Sequence, residues 1–298
     1  DGGSFAGNVA MAGTLTANGG AVFNEASADV DFRVESDTID HALFVDGATG
    51  SVGIGTASPN GTLHVHSGSA GTVSASTQAD DLVVENSLEG GITIITPDEQ
   101  SARIRFTSPS TNTDVGGAFI FYRQNINKMN IGTAVAGGIL DLQSGAGVSA
   151  INADANGAVT MPLQPAFLVQ PASGQNNIAI NTAVTVAFGT EIFDQNADFA
   201  SNTFTAPVTG KYQFSVALYL QAIDTGANYI DFQLRTSNRT YSVVIDPNFT
   251  ADLNYFPFTF SILADMDASD TTTFTITQGG GNAELDITAG SFSGFLAC

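Results

Sequence analysis

Two histidines one residue apart are the clearest candidates for metal chemistry in this 298-residue chain. His64 and His66 stand in the run Leu-His-Val-His, which is typical of a β-strand. Side chains two residues apart on a strand point to the same face, so the two imidazoles would lie side by side. Three such chains around one axis would offer six imidazoles, enough for an octahedral transition-metal site. The default interpretation is a pair of ordinary surface or interface histidines.

Three aspartates near the C-terminus form a second candidate site. Asp265, Asp267 and Asp270 lie close together in the sequence, and carboxylate oxygens are ligands that Ca²⁺ prefers. The spacing lacks the glycine and glutamate of a calcium-binding loop. A calcium site in this region and a solvated turn therefore both stay open, with the turn as the default.

The residues that nucleophilic catalysis requires are not grouped in this sequence. Cys298 is the last residue and has no histidine near it, and His41 has no accompanying serine motif. Gly279-Gly280-Gly281 is not followed by lysine, so it predicts a turn rather than a phosphate-binding loop. The chain has no tryptophan, the large aromatic platform that sugar-cleaving sites favour. The sequence therefore predicts that the protein is not an enzyme, and a polysaccharide depolymerase is the least favoured alternative.

The charge balance is strongly acidic along the whole chain. Acidic residues number 29 against 8 basic ones, for a formal net charge of -21. Residues 1–150 and 151–298 are both acidic, so the charge does not come from a tail. Because phosphate contacts need lysine and arginine, this balance argues against binding to nucleic acid or anionic lipid by charge. It is compatible with cation binding and, more simply, with solubility.

Neither a membrane span nor a disulfide is predicted from this sequence. It contains no apolar run of about 18 residues and no recognisable signal peptide. Cys298 is the only cysteine, so oligomerisation is the expected source of added stability outside a cell. The chain begins with Asp1 rather than Met, as expected of a fragment or a processed product.

Short apolar runs, broken by Gly, Asn, Asp and Ser, predict an all-β chain in three parts. Residues 1–72 contain only very short strand candidates, which predict a thin shaft in which several chains share one core. Residues 73–160 predict a second β domain of the shaft with longer strands, one of them the run Gly-Ile-Thr-Ile-Ile at 91–95. Residues 161–298 predict a head of two packed sheets, because runs such as 212–220 alternate strictly between inner and outer side chains.

Two stretches in the head carry a recognisable pattern. One runs Phe-Thr-Ala-Pro-Val-Thr-Gly-Lys-Tyr-Gln-Phe over 204–214, and the other runs Phe-Ser-Gly-Phe-Leu over 292–296. Gln-Pro-Ala-Phe at 164–167 and Phe-Asp-Gln-Asn at 193–196 fit the same pattern. Together they resemble C1q-like domains, the jelly rolls shared with the tumour necrosis factor superfamily, over about residues 162–298. This resemblance implies a trimeric jelly-roll head, and some such relatives hold calcium near the trimer axis.

The upstream part resembles the tail-fibre proteins of phages. The resemblance is carried by Asp-Phe-Arg-Val at 31–34, Leu-Phe-Val-Asp at 43–46, Val-Gly-Ile-Gly-Thr at 52–56, and Ser-Pro at 58–59 followed by Thr-Leu-His-Val at 62–65. Proteins of this kind are implied to be homotrimers with a thin β-rich shaft and a head that contacts the host. Both resemblances therefore point to the same threefold symmetry.

The favoured hypothesis is a virion structural fibre, similar to a phage tail fibre, whose trimeric head attaches to a receptor on the host surface. The receptor would be a glycan or a protein, and the fibre would be located on the virion or outside the cell. The main alternative is a bacterial secreted adhesin, or an extracellular filament subunit, with the same head.

Loops between the predicted head strands are the expected receptor-binding surface. They span residues 222–229 and 236–255, and Tyr229, Tyr241 and Tyr255 are the candidates for stacking and hydrogen bonding. Three copies of these loops would gain avidity from weak individual contacts.

Overall fold

The computed structural model describes residues 7, 9–24, 26–72, 74–108 and 117–298. Their regular structure is almost entirely β-strand, and the one helical element among them is the 3-10 turn Gln124–Ile126. The prediction of an all-β chain is therefore confirmed. The chain divides into two units, Asp1–Ala102 and Arg103–Cys298, and the predicted boundaries at residues 72 and 160 stay predictions. Within the described ranges, no helix is long and apolar enough to cross a membrane.

The first unit contains one sheet of five very short strands. They are β1 (Phe32–Val34), β2 (Leu43–Val45), β3 (Val52–Ile54), β4 (Leu63–His66) and β5 (Leu82–Glu85). The strands lie in chain order, antiparallel from β1 to β3 and parallel from β3 to β5. Asp46 holds the β2–β3 turn, because its carboxylate accepts hydrogen bonds from the backbone N–H groups of Ala48 and Thr49.

This unit buries almost no apolar surface of its own. Among its described residues, Phe44 is the only apolar residue that is buried. The large apolar side chains that are exposed include Val9, Met11, Leu15, Val22, Phe23, Val30, Val34, Ile39, Ile54, Leu82, Val84, Leu88, Ile92, Ile94 and Ile95. A single chain therefore supplies no hydrophobic core for this unit.

The predicted strand at residues 91–95 is wrong. The backbone of residues 91–97 forms no regular structure, and Ile92, Ile94 and Ile95 are exposed. β-branched residues favour an extended backbone, but a strand also needs a hydrogen-bonded neighbour. No described strand of the chain pairs with this segment.

Two small three-stranded sheets follow. The first has the order β6-β7-β8, with β6 (Ser101–Phe106), β7 (Ala118–Arg123) and β8 (Lys128–Thr133). The second has the order β11-β10-β9, with β9 (Leu140–Ser144), β10 (Val148–Ala153) and β11 (Val159–Thr160). No apolar side chain in the described part of residues 103–160 is buried.

The rest of the second unit is a two-layer β-sandwich, the head. Its strands are β12 (Ala166–Gln170), β13 (Val184–Thr185), β14 (Thr190–Gln195), β15 (Phe199–Ala200), β16 (Thr203–Thr205), β17 (Gly210–Gln221), β18 (Tyr229–Thr236), β19 (Thr240–Ile245), β20 (Phe256–Met266), β21 (Thr271–Gly279) and β22 (Asp286–Leu296). The front sheet has the order β14-β12-β22-β17-β20, and the back sheet has the order β15-β16-β21-β18-β19 with β13 beside β21. Neighbouring strands are distant in sequence because the chain crosses repeatedly between the sheets, which is the arrangement of a jelly roll.

Strict alternation along the strands builds the core between the two sheets. The inner residues of β17, from Tyr212 to Leu220, are buried, while Ser215 and Tyr219 between them are exposed. The ring of Phe167 stacks on that of Phe204 at 4.9 Å and meets the edge of Phe292 at 5.0 Å. A fully buried phenylalanine contributes about 2–3 kcal/mol, so this cluster stabilises a head that has no disulfide.

Candidate functional site

Three loops meet at one end of the head. They are residues 222–228 between β17 and β18, 246–255 between β19 and β20, and 280–285 between β21 and β22. Ile223 and Leu253 exchange backbone hydrogen bonds of 3.1 and 3.3 Å, which join the first loop to the second. We call this surface the three-loop end. The predicted loop at 222–229 matches the first of these. The predicted loop at 236–255 is wrong over residues 240–245, which form β19, and only its later part is the second loop. The third loop was missed.

Two aspartates tie the three loops together. Asp224 is only 5% exposed, and its carboxylate accepts hydrogen bonds from the backbone N–H groups of Gly226, at 2.7 Å, and Asn282. Asp252 accepts hydrogen bonds from both the N–H and the hydroxyl of Thr225, each at 2.8 Å, and the N–H bond is the main cause that lowers the pKa of Asp252. The carboxylates therefore fix the loops by bonds to backbone and hydroxyl donors.

Glu284 brings a third carboxylate to this cluster. One oxygen from each of Asp224, Asp252 and Glu284 lies within 4.8 Å of the others. The three loops also carry Asp246 and contain no lysine, arginine or histidine. The surface is therefore acidic and suits partners that offer hydroxyl or amine donors. No local sequence pattern joins these acids, because only the sheet topology brings them together.

The predicted turn at residues 279–281 has a packing reason. A Cβ on Gly279 would lie 2.2 Å from a ring carbon of Tyr229. Gly281 adopts a φ of 72°, and a Cβ there would lie 2.2 Å from a carboxylate oxygen of Asp224. Three glycines in a row thus let the third loop approach both the tyrosine and the buried aspartate.

The structure places two of the three predicted tyrosines at this end and the third at the other. Tyr229 is 40% exposed and Tyr255 is 78% exposed, and both adjoin the loops. Tyr241 lies near the start of β19 at the opposite end, where its hydroxyl is 3.4 Å from Asp265. Burial raises the pKa of Tyr241, and the negative charge of Asp265 adds to this effect. A single surface patch therefore does not contain all three.

The aspartates at the opposite end are occupied by other partners. Asp265 accepts a hydrogen bond of 2.7 Å from Arg239, and this bond lowers the pKa of Asp265. Asp270 accepts a hydrogen bond of 2.8 Å from the backbone N–H of Asp267. The three carboxylates do not converge within the described residues, so this arrangement favours the solvated turn over a calcium site.

The histidine pair is positioned as expected on one face, but His64 is buried. The two rings stand perpendicular with centroids 5.6 Å apart. His64 is 1% exposed; its Nδ1 accepts the backbone N–H of Asn60 at 3.2 Å, and its Nε2 lies 3.1 Å from the Glu85 carboxylate. Nε2 makes no hydrogen bond within the described residues despite this short distance. A metal ion would have to compete with Glu85 for Nε2, and the metal site stays a prediction.

Glu85 is held in its ionised form beside the two imidazoles. The backbone N–H of Ala70 donates to its carboxylate at 2.7 Å. This bond lowers the pKa of Glu85 more than any other contact, and His66 and His64 lower it further.

The outer face of the front sheet is a second candidate surface. Three neighbouring strands of that sheet, β22, β17 and β20, present twelve uncharged residues outward over their middle part, and the paired charges of Lys211 and Asp265 lie at one end of the same face. The centre is built from small side chains, with the hydroxyls of Ser215 and Ser261 3.2 Å apart, and larger side chains lie around it. We call this surface the front face, and its residues are Gln213, Ser215, Ala217, Tyr219, Pro257, Thr259, Ser261, Leu263, Ala289, Ser291, Ser293 and Phe295.

Three different proteins of known structure are similar to part of this chain. The globular domain of the zebrafish complement 1qA protein is 19% identical, with a TM-score of 0.35, and the match covers 45% of this chain and 98% of that one. Murine APRIL is 11% identical, with a TM-score of 0.32 and coverage of 44% and 98%. The PRD1 vertex protein P5 is 12% identical, with a TM-score of 0.33 and coverage of 45% and 97%. No protein-family model matches the chain, and no curated protein does.

The sheet order itself shows the architecture of the head. A five-stranded and a six-stranded layer with crossing connections enclose one core, and the strands that carry the sequence pattern at 204–214 and 292–296 lie within them. The head is therefore a jelly roll.

Proposed function

We propose that this chain is a subunit of a homotrimeric structural fibre, similar to a phage tail fibre, whose head attaches to a receptor on a host-cell surface. Its place would be on the virion or outside the cell. Its action would be contact rather than catalysis.

The contrast in burial between the two parts of the chain carries this proposal. In the described part of residues 1–160, Phe44 is the only buried apolar residue, whereas the head buries a continuous cluster that includes Phe167, Phe204 and Phe214. Exposed apolar side chains in such numbers are unusual for a soluble monomer and typical of surfaces that another chain covers. Identical chains are the simplest source of that cover, because closed symmetric assemblies dominate among oligomers.

The front face of the head supports the same symmetry. The middle of this face is uncharged and has small side chains, which lets another sheet approach closely there without the desolvation of an ion. Lys211 and Asp265, which pair with each other, lie at the end of the face. Packing of the front faces around a threefold axis would leave the three-loop ends free.

The three-loop end is the proposed receptor contact. Tyr229 and Tyr255 offer exposed rings and hydroxyls, and tyrosine is enriched among the residues that dominate binding energy. The carboxylates beside them accept hydrogen bonds from sugar hydroxyls, which favours a glycan receptor. Three copies on one head would convert weak single contacts into avidity.

Binding of the labelled full-length chain to a panel of bacterial strains, measured by flow cytometry, tests this function. We expect Tyr229→Ala/Tyr255→Ala to lower binding to the recognised strain about tenfold or more, whereas Val244→Ala, an exposed change on β19, should leave it unaltered. Equal losses in both variants, or binding to no strain by a correctly assembled trimer, would count against the proposal.

Mass spectrometry of purified virions separates a fibre from a secreted adhesin, which would be found only in the bacterial culture.

A further inference from the structure

One face of the β6-β7-β8 sheet gathers four of the eight basic residues of the chain. The Cζ of Arg103 lies 4.9 Å from the ring centre of Phe121 and that of Arg123 lies 5.8 Å from it, so all three share one face. Arg105 follows Arg103 by two residues and therefore points the same way. Lys128 stands directly opposite Arg123 in the β7–β8 register and also faces that side. We call this surface the basic face.

The basic face has no acidic partner within the described residues. Among the described residues, ion pairs join Arg33 to Glu35, His64 to Glu85 and Arg239 to Asp265. None of these pairs involves Arg103, Arg105, Arg123 or Lys128. Like charges directly opposite each other destabilise a sheet, yet Arg123 and Lys128 are paired in this way. An anion bound between them would relieve that repulsion.

The opposite face of the same sheet is apolar. Tyr122 pairs with Met129, Ile120 pairs with Ile131, and Ile104 alternates with the arginines of β6. Except for Ile120, these side chains are largely exposed in the single chain. In the proposed trimer, the apolar face is the side that other chains would cover. The basic face would then be turned toward solvent in all three copies.

We propose that the basic face binds a linear anionic polysaccharide through its carboxylate or sulfate groups. Guanidinium groups form bidentate hydrogen bonds with such oxyanions, and contact with the ring of Phe121 helps to position two of them. Residues two apart on a strand are separated by about 7 Å and neighbouring strands by about 4.8 Å, so the four charges form a compact patch. Charges beyond about 8–10 Å are screened at physiological salt, so the patch acts locally despite the net charge of -21.

A polysaccharide fits this face better than a nucleic acid does. Duplex DNA carries one charge per about 1.7 Å, so a strongly acidic protein with four clustered bases is repelled over most of its length. Stacking of nucleotide bases needs free aromatic faces, and the ring of Phe121 already carries guanidinium groups. The basic face lies on β6, β7 and β8, far in sequence from the three-loop end. It would therefore be a second binding site, separate from the receptor contact of the head.

Affinity of the full-length chain for immobilised heparin, alginate, neutral dextran and a DNA duplex, measured from 50 to 500 mM NaCl, tests the proposal. We expect retention on heparin or alginate at low salt, release at high salt, and no retention on dextran. Arg103→Gln/Arg123→Gln should weaken binding about tenfold. Arg33→Gln/Arg235→Gln removes the same charge elsewhere and should bind as the unaltered chain does.

Several results would overturn the proposal. They are absence of retention on both anionic polysaccharides, equal loss in the two double variants, and tighter binding to the DNA duplex than to either polysaccharide. The mass of each variant in solution is measured in parallel. A trimer that does not bind contradicts this inference alone, whereas a monomer that binds contradicts the proposed assembly and leaves this inference standing.

Discussion

Gly294 lies directly against the ring of Phe214, so that a Cβ at this position would come within 2.6 Å of a ring carbon. The same added atom would lie 2.8 Å from the ring of Phe167. Gly294 belongs to the C-terminal Phe-Ser-Gly-Phe pattern that marks the head in the sequence. The pattern therefore has a packing cause, since this strand must pass beneath two core rings.

Gly294→Ala should destabilise the head by about 1–3 kcal/mol, because overpacked cores force rings out of their favoured rotamers. Urea unfolding followed by tyrosine fluorescence measures the change. Gly132→Ala on β8 is the matched control, since its added Cβ would meet the Phe119 ring at an ordinary 3.4 Å. Equal effects of the two substitutions would contradict this explanation of the pattern.

Asp224→Ala should lower the free energy of unfolding by about 2 kcal/mol, because it leaves the N–H groups of Gly226 and Asn282 without their charged acceptor. Hydrogen exchange at residues 280–284 should become faster. Asp246→Ala removes an exposed carboxylate from the same end and should change stability by less than about 0.5 kcal/mol. Unchanged exchange in Asp224→Ala would show that the carboxylate does not hold the third loop.

Burial, together with the charge of Asp194, raises the pKa of Asp198. The folded state thus disfavours the ionised form of Asp198, and the resulting destabilisation is fully present above the raised folded pKa. It disappears below the unfolded pKa of about 3.9, where both states are protonated.

Asp198→Asn should therefore raise the urea midpoint at pH 7 and leave it unchanged near pH 3. Asp267→Asn removes an exposed carboxylate from another turn of the head and serves as the control. A midpoint for Asp198→Asn that is lower at pH 7 would contradict the assigned direction.

Ser215→Asp should weaken the proposed trimer while leaving each head folded, because three carboxylates would meet in the shared front face without partners. Desolvation of an unpaired charge costs several kcal/mol. Val244→Asp places the same charge on β19 of the back sheet and should leave the trimer as stable as before. Sedimentation velocity over a dilution series measures the difference, and a Ser215→Asp trimer as resistant to dilution as the Val244→Asp trimer would contradict the front face as an interface.

The sequence predicted the head well because its signal is local. Alternation from Tyr212 to Leu220 shows which face is buried, and the glycines and aromatic residues of the two pattern stretches mark strands that contact the core rings. The same kind of reasoning failed at Ile92, Ile94 and Ile95, because propensity cannot supply the neighbouring strand that a sheet requires.

Long-range features of the candidate site could not be read from the sequence. Asp224, Asp252 and Glu284 converge only because three separate connections end on one side of the sandwich. Tyr241 was grouped with Tyr229 and Tyr255 because it falls between them in sequence, yet antiparallel pairing places it at the other end. The contact of His64 with Glu85 could not be read from the sequence either, because a parallel neighbouring strand brings the two side chains together.

Sedimentation equilibrium of the full-length chain at micromolar concentration tests the central claim most directly. The exposed apolar residues of the first unit and the uncharged middle of the front face both favour cover by partner chains, so we predict a mass close to three times the 30.6 kDa of one chain. The trimer should persist on dilution through the micromolar range. A stable, folded species of 30.6 kDa would contradict the shared core and, with it, the proposed fibre.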